Sequence, residues 1–574
     1  MSSTRTDAQP TSRLLPRWEW LSLATILLLA SLLGARAWFA IQAYADYPPD
    51  FDEAVHALPA LQISRDLRAL RLGDLWRHSY TQDEIALYPF LHSWLLAPFF
   101  LIAKPDLSVA RASGTAFLTA SACVMFFLTR GLAARERRPW LAGLFSALLL
   151  LTALPLWVYA SVILLEAAGL LVTLLWLSAY VRARPDHTGR GWPAAASLAA
   201  TAALFTKYSF GVFVITAMVG VELLSILAHP RALNLRRLLL LFGPVMILTG
   251  AWFLLPGKLD RFLEYSRSQR AQVEFWSAAN LLYYPQSLFR FYTAGPLTVA
   301  LVAAGIGMGV WRWRDHPWRA VVLYLLAGIV LLTRVPQKEI RFFYTVAPLA
   351  YPLAGVAFAR LINAASEARV TGPARRVTQI GLAGLLALEA GLVARRGSFF
   401  GPALETAYLN SPDTRAAYDF VIEHMLAEGA RPHLLDTWHL FSNYPLAWEY
   451  YVGRDEDPAA YHYQLATADY APPPTPTNLD RLLERLQTQG TSVLVSIDGS
   501  PAGDYTGWQV VEPLITRGRL EMLAASPQYV LFEWSSDYES RVFAGEFATA
   551  AELEQARQRG LTLFTIQLHL YRLK

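Results

Sequence analysis

The segment "YADYPPDFDEAVHALPA" gathers Asp46, Asp50, Asp52 and Glu53 within eight residues, directly after a long apolar run. Carboxylates at a low-dielectric boundary hold protons more tightly than in water, so one of them can act as a general base. An acidic loop of this kind is also an ordinary solvated feature, and both readings stay open on composition. A second acid, Glu166 in "WVYASVILLEAAGLLV", stands among apolar residues, where an ionised group is costly and marks a functional site unless a cation pairs with it. Lys207 in "LFTKYSFG", Lys338 and Arg341 in "QKEIRFFYTVAPLAYP", and Arg111 at the head of another apolar run supply cations. They suit an anionic partner such as a phosphate, lysine as a point charge and arginine as a planar fork. Pairing of Lys207, Lys338 or Arg341 with Glu166 or Glu339 is the structural alternative. Glu222 in "GVELLSILA" lies nearer the cytoplasmic side, where snorkelling to the interface or a salt bridge with a connecting loop is expected.

His56, Glu84 and His92 are the candidate ligands for a divalent metal ion, although their spacing matches no known cluster. Cys123 is the only cysteine, so there is no intramolecular disulfide and no cysteine cluster to hold zinc or iron and sulfur. No phosphate-cradling Walker loop or dinucleotide fingerprint is present, and no serine lies in a nucleophile elbow. No cofactor is therefore required by any motif.

These groups must be positioned by membrane-spanning elements. Across 574 residues the chain is 54% hydrophobic and only 17% charged, with a mean hydropathy of +0.29, whereas a soluble domain is about a quarter charged. The first apolar run, "WLSLATILLLASLLGARAWFAI", follows Arg13 and Arg17 and is long enough to cross a bilayer core about 30 Å thick. Ten further runs lie near 111–129, 139–158, 162–181, 193–206, 208–228, 238–255, 294–311, 319–333, 342–359 and 377–394, which predicts about eleven transmembrane helices. The segment "LYPFLHSWLLAPFFLIA" decides sidedness, because counting it as a crossing would invert every later loop. With this segment held at the interface, the connections 130–138, 182–190, 229–237, 312–319 and 360–376 share one side. They hold 17 arginines against four acids, a net +13 in a chain whose total is +5. Retention of arginine on the cytoplasmic side then places the amino terminus inside and the carboxyl terminus outside. Arg395 and Arg396, just past the last run, oppose that rule.

Three regions are left facing the exterior: 42–110, 256–293 and a tail from 397 to 574. In the first, "LPALQISRDLRALRLGDLW" has the periodicity of an amphipathic helix lying along the membrane surface. The tail reads as a small α/β domain, with a helix after Ser411, Pro412 and Asp413, and strands in "HLLDTWH", "SVLVSID", "QYVLFEW" and "LTLFTIQLHLY".

An acid pair after the first span, an amphipathic exterior helix, a proline-broken apolar segment and a second acid two spans later together resemble the GT-C glycosyltransferases. Among these the pattern is most similar to the group containing protein mannosyltransferases and the lipid A aminoarabinose transferase. "FDEAVH" resembles that group's aspartate-glutamate motif, "VILLEAAG" holds Glu166 where members place a second acid, and "LFTKYSFG" resembles a threonine-lysine motif. "KEIRFFYTVAPLAYPLAG" resembles the late segment whose basic residues approach the donor phosphate. In "YPFLHSW" the chain departs from the pattern, with Tyr88 in place of a basic residue. The resemblance covers residues 18–395. It implies a transmembrane domain over 1–396 in the plasma (inner) membrane, and transfer of a sugar from a polyprenyl-phosphate carrier to an acceptor hydroxyl on the exterior face, with inversion. Asp52, Glu53 and Glu166 would be catalytic, and Lys207, Lys338, Arg341 and Arg111 would bind the donor phosphate. Protein, glycolipid and polysaccharide acceptors all fit, and nucleic acid is not implied. A lipid or glycan transporter without transfer chemistry would use the same acids and cations, and is the alternative.

Overall fold

The computed structural model describes residues 16–86, 88–184, 191–228, 234–268, 276–335, 338–367, 373–408, 412–428, 432–434, 443–452, 479–480, 483–484, 487–488, 492–498 and 511–574. All eleven apolar runs fall on helix. The first is α1 (Arg17–Ala43). It is followed by α2 (Phe51–Arg68), α3 (Leu72–Ala86), α4 (Leu91–Ile102) and α5 (Leu107–Leu132). Next come α6 (Pro139–Thr152), α7 (Leu154–Ala160), α8 (Leu165–Arg182), α9 (Gly191–Thr206), α10 (Tyr208–Ala228) and α11 (Leu235–Phe253). After α12 (Lys258–Ser268) and α13 (Ala278–Phe291) the bundle is completed by α14 (Pro296–Trp311), α15 (His316–Thr333), α16 (Tyr351–Glu367) and α17 (Pro373–Ser398). Among the described residues seven helical spans are long and apolar enough to cross a membrane, or eight when the bent pair α6–α7 is taken as one. The runs on α9, α14 and α17 fall short of that length or apolarity.

The bend between α6 and α7 is 62°. Pro155, near the start of α7, cannot donate a backbone hydrogen bond and its ring crowds the preceding turn. The Trp157 indole instead donates to the Leu151 carbonyl at 2.8 Å, satisfying an acceptor at the break. Small residues let other helices approach closely. A side chain at Gly114 of α5 would strike the Ala160 carbonyl, and one at Gly355 of α16 would strike Ser146 and the Ala142 carbonyl of α6.

Helix α4 has 12 residues, with Pro98 inside it, and at roughly 18 Å it is too short to cross a bilayer core. The expected surface helix is corrected by the structure. That run breaks at Leu70, whose φ is 54°, and α2 is enclosed, with every residue from Glu53 to Ser64 buried. It packs against α3, α4 and the later helix α20. The exposed apolar side chains belong to the break and to α3: Leu70, Leu72 and Trp76.

The arginine-rich connections gather at the end of the bundle remote from Asp52. Arg135, Arg184, Arg312 and Arg314 line one cavity there. Glu222 is buried beside His316 of that wall, held bidentately by Arg237 at 2.5 and 2.8 Å and by the Tyr180 hydroxyl at 2.6 Å.

The tail adds α18 (Phe400–Glu405), α19 (Pro412–Glu428), α20 (Asn443–Val452) and a sheet. Its strands are β1 (Pro432–Leu434), β2 (Val493–Asp498), β3 (Leu520–Trp534) and β4 (Leu561–Leu573), in the order β1-β2-β4-β3. Only the β1–β2 pairing is parallel. The helix Ser536–Ala544 packs on the membrane bundle through Tyr538, Val542 and Phe543, which belong to the same hydrophobic core as Trp157 and Tyr344. The two arginines that oppose the charge rule serve this docking. Arg395 donates to the Phe547 carbonyl at 2.9 Å, and Arg396 donates to the carbonyls of Arg290 at 2.9 Å and Ala544 at 3.3 Å.

Candidate active site

Helix α2 begins with a reciprocal cap. The Asp50 carboxylate accepts from the Glu53 backbone amide at 2.7 Å, and Glu53 accepts in return from the Asp50 amide at 3.4 Å. Burial beside Glu53 and Asp52 pushes the Asp50 carboxyl up to about 8. Glu53 is almost wholly enclosed. Its two oxygens take the Arg111 guanidinium at 2.8 and 2.7 Å, and Oε1 also accepts from the Ile163 amide at 3.2 Å. Arg111 further donates to the Tyr44 carbonyl at 3.1 Å and lies over the Tyr408 ring. The close approach at Gly114 helps to bring the 161–164 connection within reach. Glu53 and Arg111 thus tie α2, α5 and two connecting segments together.

One residue earlier, Asp52 is turned the other way and stays partly exposed. Its Oδ2 accepts from Arg341 Nη1 at 2.6 Å, and Arg341 also pairs with Glu339. Burial would raise the Asp52 carboxyl, but Arg341, aided by His56 and Lys207, holds it below the usual carboxylate range. Lys207, in the break between α9 and α10, contacts Glu166 Oε1 at 3.0 Å, and both are buried. The lysine ammonium is ringed by Tyr88, Phe210 and Phe342, each about 5.4–5.5 Å from it, which stabilises a cation in an apolar setting. Tyr88, where the resemblance calls for a basic residue, therefore contributes an aromatic face to Lys207.

The structure brings Asp52, Arg341, Lys207 and Glu166 into one electrostatically coupled group. Lys338 is directed elsewhere, donating to the carbonyls of Leu332, Thr333 and Val335 at 3.1, 3.0 and 2.7 Å at the end of α15. Arg111 is committed to Glu53. The His56 and His92 rings lie edge to face, 5.2 Å apart, and neither Nδ1 has a hydrogen-bond partner. Burial lowers the His56 imidazole to about 4. The Glu84 side chain lies outside the described residues. Among the described residues no three His, Cys, Asp or Glu side chains come together to hold a metal ion.

Sequence reasoning missed Glu539, on the helix Ser536–Ala544. Burial, then the nearby Glu339 and Glu533, push its carboxyl up to about 7, with Arg341 opposing them. No spacing links residue 539 to residue 341. Tyr159, whose ring is 6.1 Å from Phe543 of the tail, was missed for the same reason.

A long helical bundle with broken spans holds a carboxylate and cations at one end, with a small α/β domain seated there, in a GT-C-like fold. Among solved structures the chain is similar to apo ArnT from Cupriavidus metallidurans (TM-score 0.51, 19% identity, 86% of this chain and 94% of that one). It is also similar to the oligosaccharyltransferase AglB from Archaeoglobus fulgidus in complex with an inhibitory peptide and a dolichol-phosphate (TM-score 0.56, 10% identity, 97% and 89% covered). A complex of the Archaeoglobus fulgidus oligosaccharyltransferase with Zn and sulfate gives a TM-score of 0.53 at 10% identity, with 95% and 88% covered. No family model matches the chain, and no curated protein matches it.

Proposed function

We propose that this chain is an integral-membrane inverting glycosyltransferase that moves a sugar from a polyprenyl-phosphate carrier to an acceptor hydroxyl on the extracytoplasmic side. The observation that carries this reading is the contact between Asp52 and Arg341 beside the buried Lys207. It puts a proton acceptor next to cations suited to a phosphate. The fold shared with the dolichol-phosphate complex of AglB supports a lipid-phosphate donor reached from within the bilayer. The gathering of arginines at the opposite end supports placing the Asp52 end outside.

In this mechanism the acceptor hydroxyl gives its proton to Asp52 as its oxygen attacks the anomeric carbon. The bond from that carbon to the phosphate oxygen breaks, and the electron pair leaves with the polyprenyl phosphate. Arg341 and Lys207 neutralise the departing phosphate. An arriving phosphate draws Arg341 away from Asp52, which removes the main influence holding that carboxylate low and makes it a better base once donor is bound. Glu166 orients Lys207, and Arg111 with Glu53 fixes α2. Lys338 joins the phosphate site only if the donor competes with the α15 carbonyls.

The test is to incubate the purified full chain with radiolabelled polyprenyl-phosphate sugars of several kinds and follow the label. Release or transfer of one sugar by wild type, lost in Asp52→Asn with lipid-phosphate binding retained, is the expected result. Transbilayer movement of donor with no cleavage by wild type refutes the proposal.

A further inference from the structure

Between the membrane bundle and the tail lies a second cavity, of about 290 Å³, close to the lower end of the range for small-molecule sites. One side of it is aromatic. Tyr44 stacks on Tyr408 with ring centroids 4.6 Å apart, and Tyr47 meets Tyr44 edge-on at 5.1 Å. Its tail side presents Phe532 and Trp534. We infer that this cavity is a saccharide-binding subsite, taking a neutral sugar ring of the acceptor.

The polar groups select that class of ligand. Among the described residues Arg557 is the one cation in the wall, and it already pairs with Glu405, while Glu554 stands 3.7 Å from it. One guanidinium for two carboxylates opposes an anion such as phosphate. Flat aromatic faces oppose a small hydrated ion, whereas the carboxylates and the Gln558 amide oppose a purely apolar chain. A sugar ring satisfies both kinds of wall, with its C–H face against Tyr47 or Phe532, since Tyr408 is covered by Tyr44 and Arg111 and Trp534 by Tyr538, and its hydroxyls donating to carboxylate oxygens. Two donors in the wall, Trp534 Nε1 and Arg557 Nε, have no hydrogen-bond partner among the described residues. Trp534 is only 6% exposed, and an unmet buried donor calls for an acceptor such as a hydroxyl oxygen.

Position ties the cavity to the reaction. Tyr47 precedes Asp52 by five residues, and the Tyr408 ring carries Arg111, the partner of Glu53, 5.1 Å from its centroid. Assigning the ring to the acceptor rests on the glycosyltransferase reading, but binding of a saccharide does not.

The experiment is saturation-transfer NMR, with tryptophan fluorescence, on the full chain in nanodiscs. The probes are neutral trisaccharides of glucose, mannose and galactose, inorganic phosphate and an uncharged hexapeptide. At least one trisaccharide should bind, and Tyr47→Ala and the exposed Gln558→Ala should each weaken it about tenfold, a loss of about 1.4 kcal/mol. The inference is overturned if no trisaccharide binds, if phosphate or peptide binds here instead, or if both variants leave saccharide binding unchanged. Donor turnover by wild type without saccharide binding would defeat this inference alone. Saccharide binding without donor turnover would defeat the glycosyltransferase reading and leave the subsite standing.

Discussion

Arg341 Nη1 and Asp52 Oδ2 are 2.6 Å apart although 289 residues separate them in the chain. The pair joins the first turn of α2 to the short helical turn Ile340–Phe343 that follows α15. It also couples the proposed base to the proposed phosphate ligand, so each side chain controls the state of the other.

Asp52→Asn keeps the shape of this pair and removes the basic oxygen. Transfer should fall by about 10²–10⁴-fold, the range of general base catalysis. Single-turnover kinetics with saturating donor, beside a direct measurement of lipid-phosphate binding, separates lost chemistry from lost affinity.

Arg341→Ala should move the acid limb of the rate profile upward. With the guanidinium gone, burial dominates and the Asp52 carboxyl rises, so the base is lost at a higher pH than in wild type. The check is kcat/KM against pH for both proteins, and coincident acid limbs would show that Arg341 does not govern this group. Arg341→Lys should recover only part of the rate, because an ammonium cannot reproduce the planar fork.

Lys207→Met leaves Glu166 buried without its cation and should destabilise the protein by about 3–5 kcal/mol. The double variant Lys207→Met with Glu166→Gln should regain thermal stability but not transfer. Return of activity in the double variant would assign the pair to structure alone.

The Glu53–Arg111 pair should behave as one unit. Glu53→Gln and Arg111→Met each leave a buried partner unmet, and combining them should cost less than the sum of the two. A double-mutant cycle on the thermal midpoint measures the coupling.

Glu539 should make stability fall as pH rises. Its carboxyl is raised from 4.5 to about 7, so the folded protein binds the extra proton between those values. The stabilisation is present below about pH 4.5 and is lost through pH 7. Glu539→Gln should flatten the thermal midpoint over that window, since the amide has no proton to lose.

Composition and apolar run length determined that this is a multi-span membrane chain, because hydrophobic thickness is set by the bilayer rather than by neighbouring helices. The individual ionisable residues stood out for a local reason: Glu166 and Lys207 are costly among apolar neighbours wherever the chain folds. The tail strands β2 and β4 were legible as short apolar runs, β3 begins at Leu520 ahead of its run, and most of "HLLDTWH" lies outside the described residues. The tertiary structure alone decided who pairs with whom. Glu53 and Asp52 are adjacent in sequence, yet successive helical positions point about 100° apart, so one is locked to Arg111 and the other faces Arg341. The same packing enclosed α2, which periodicity had assigned to a surface, because α3, α4 and α20 cover faces that no local pattern could foresee. It also brought Glu539 into the field of Arg341 and put Tyr47 and Trp534 in the wall of one cavity, neighbourhoods of remote segments that exist only once the tail is seated on the bundle.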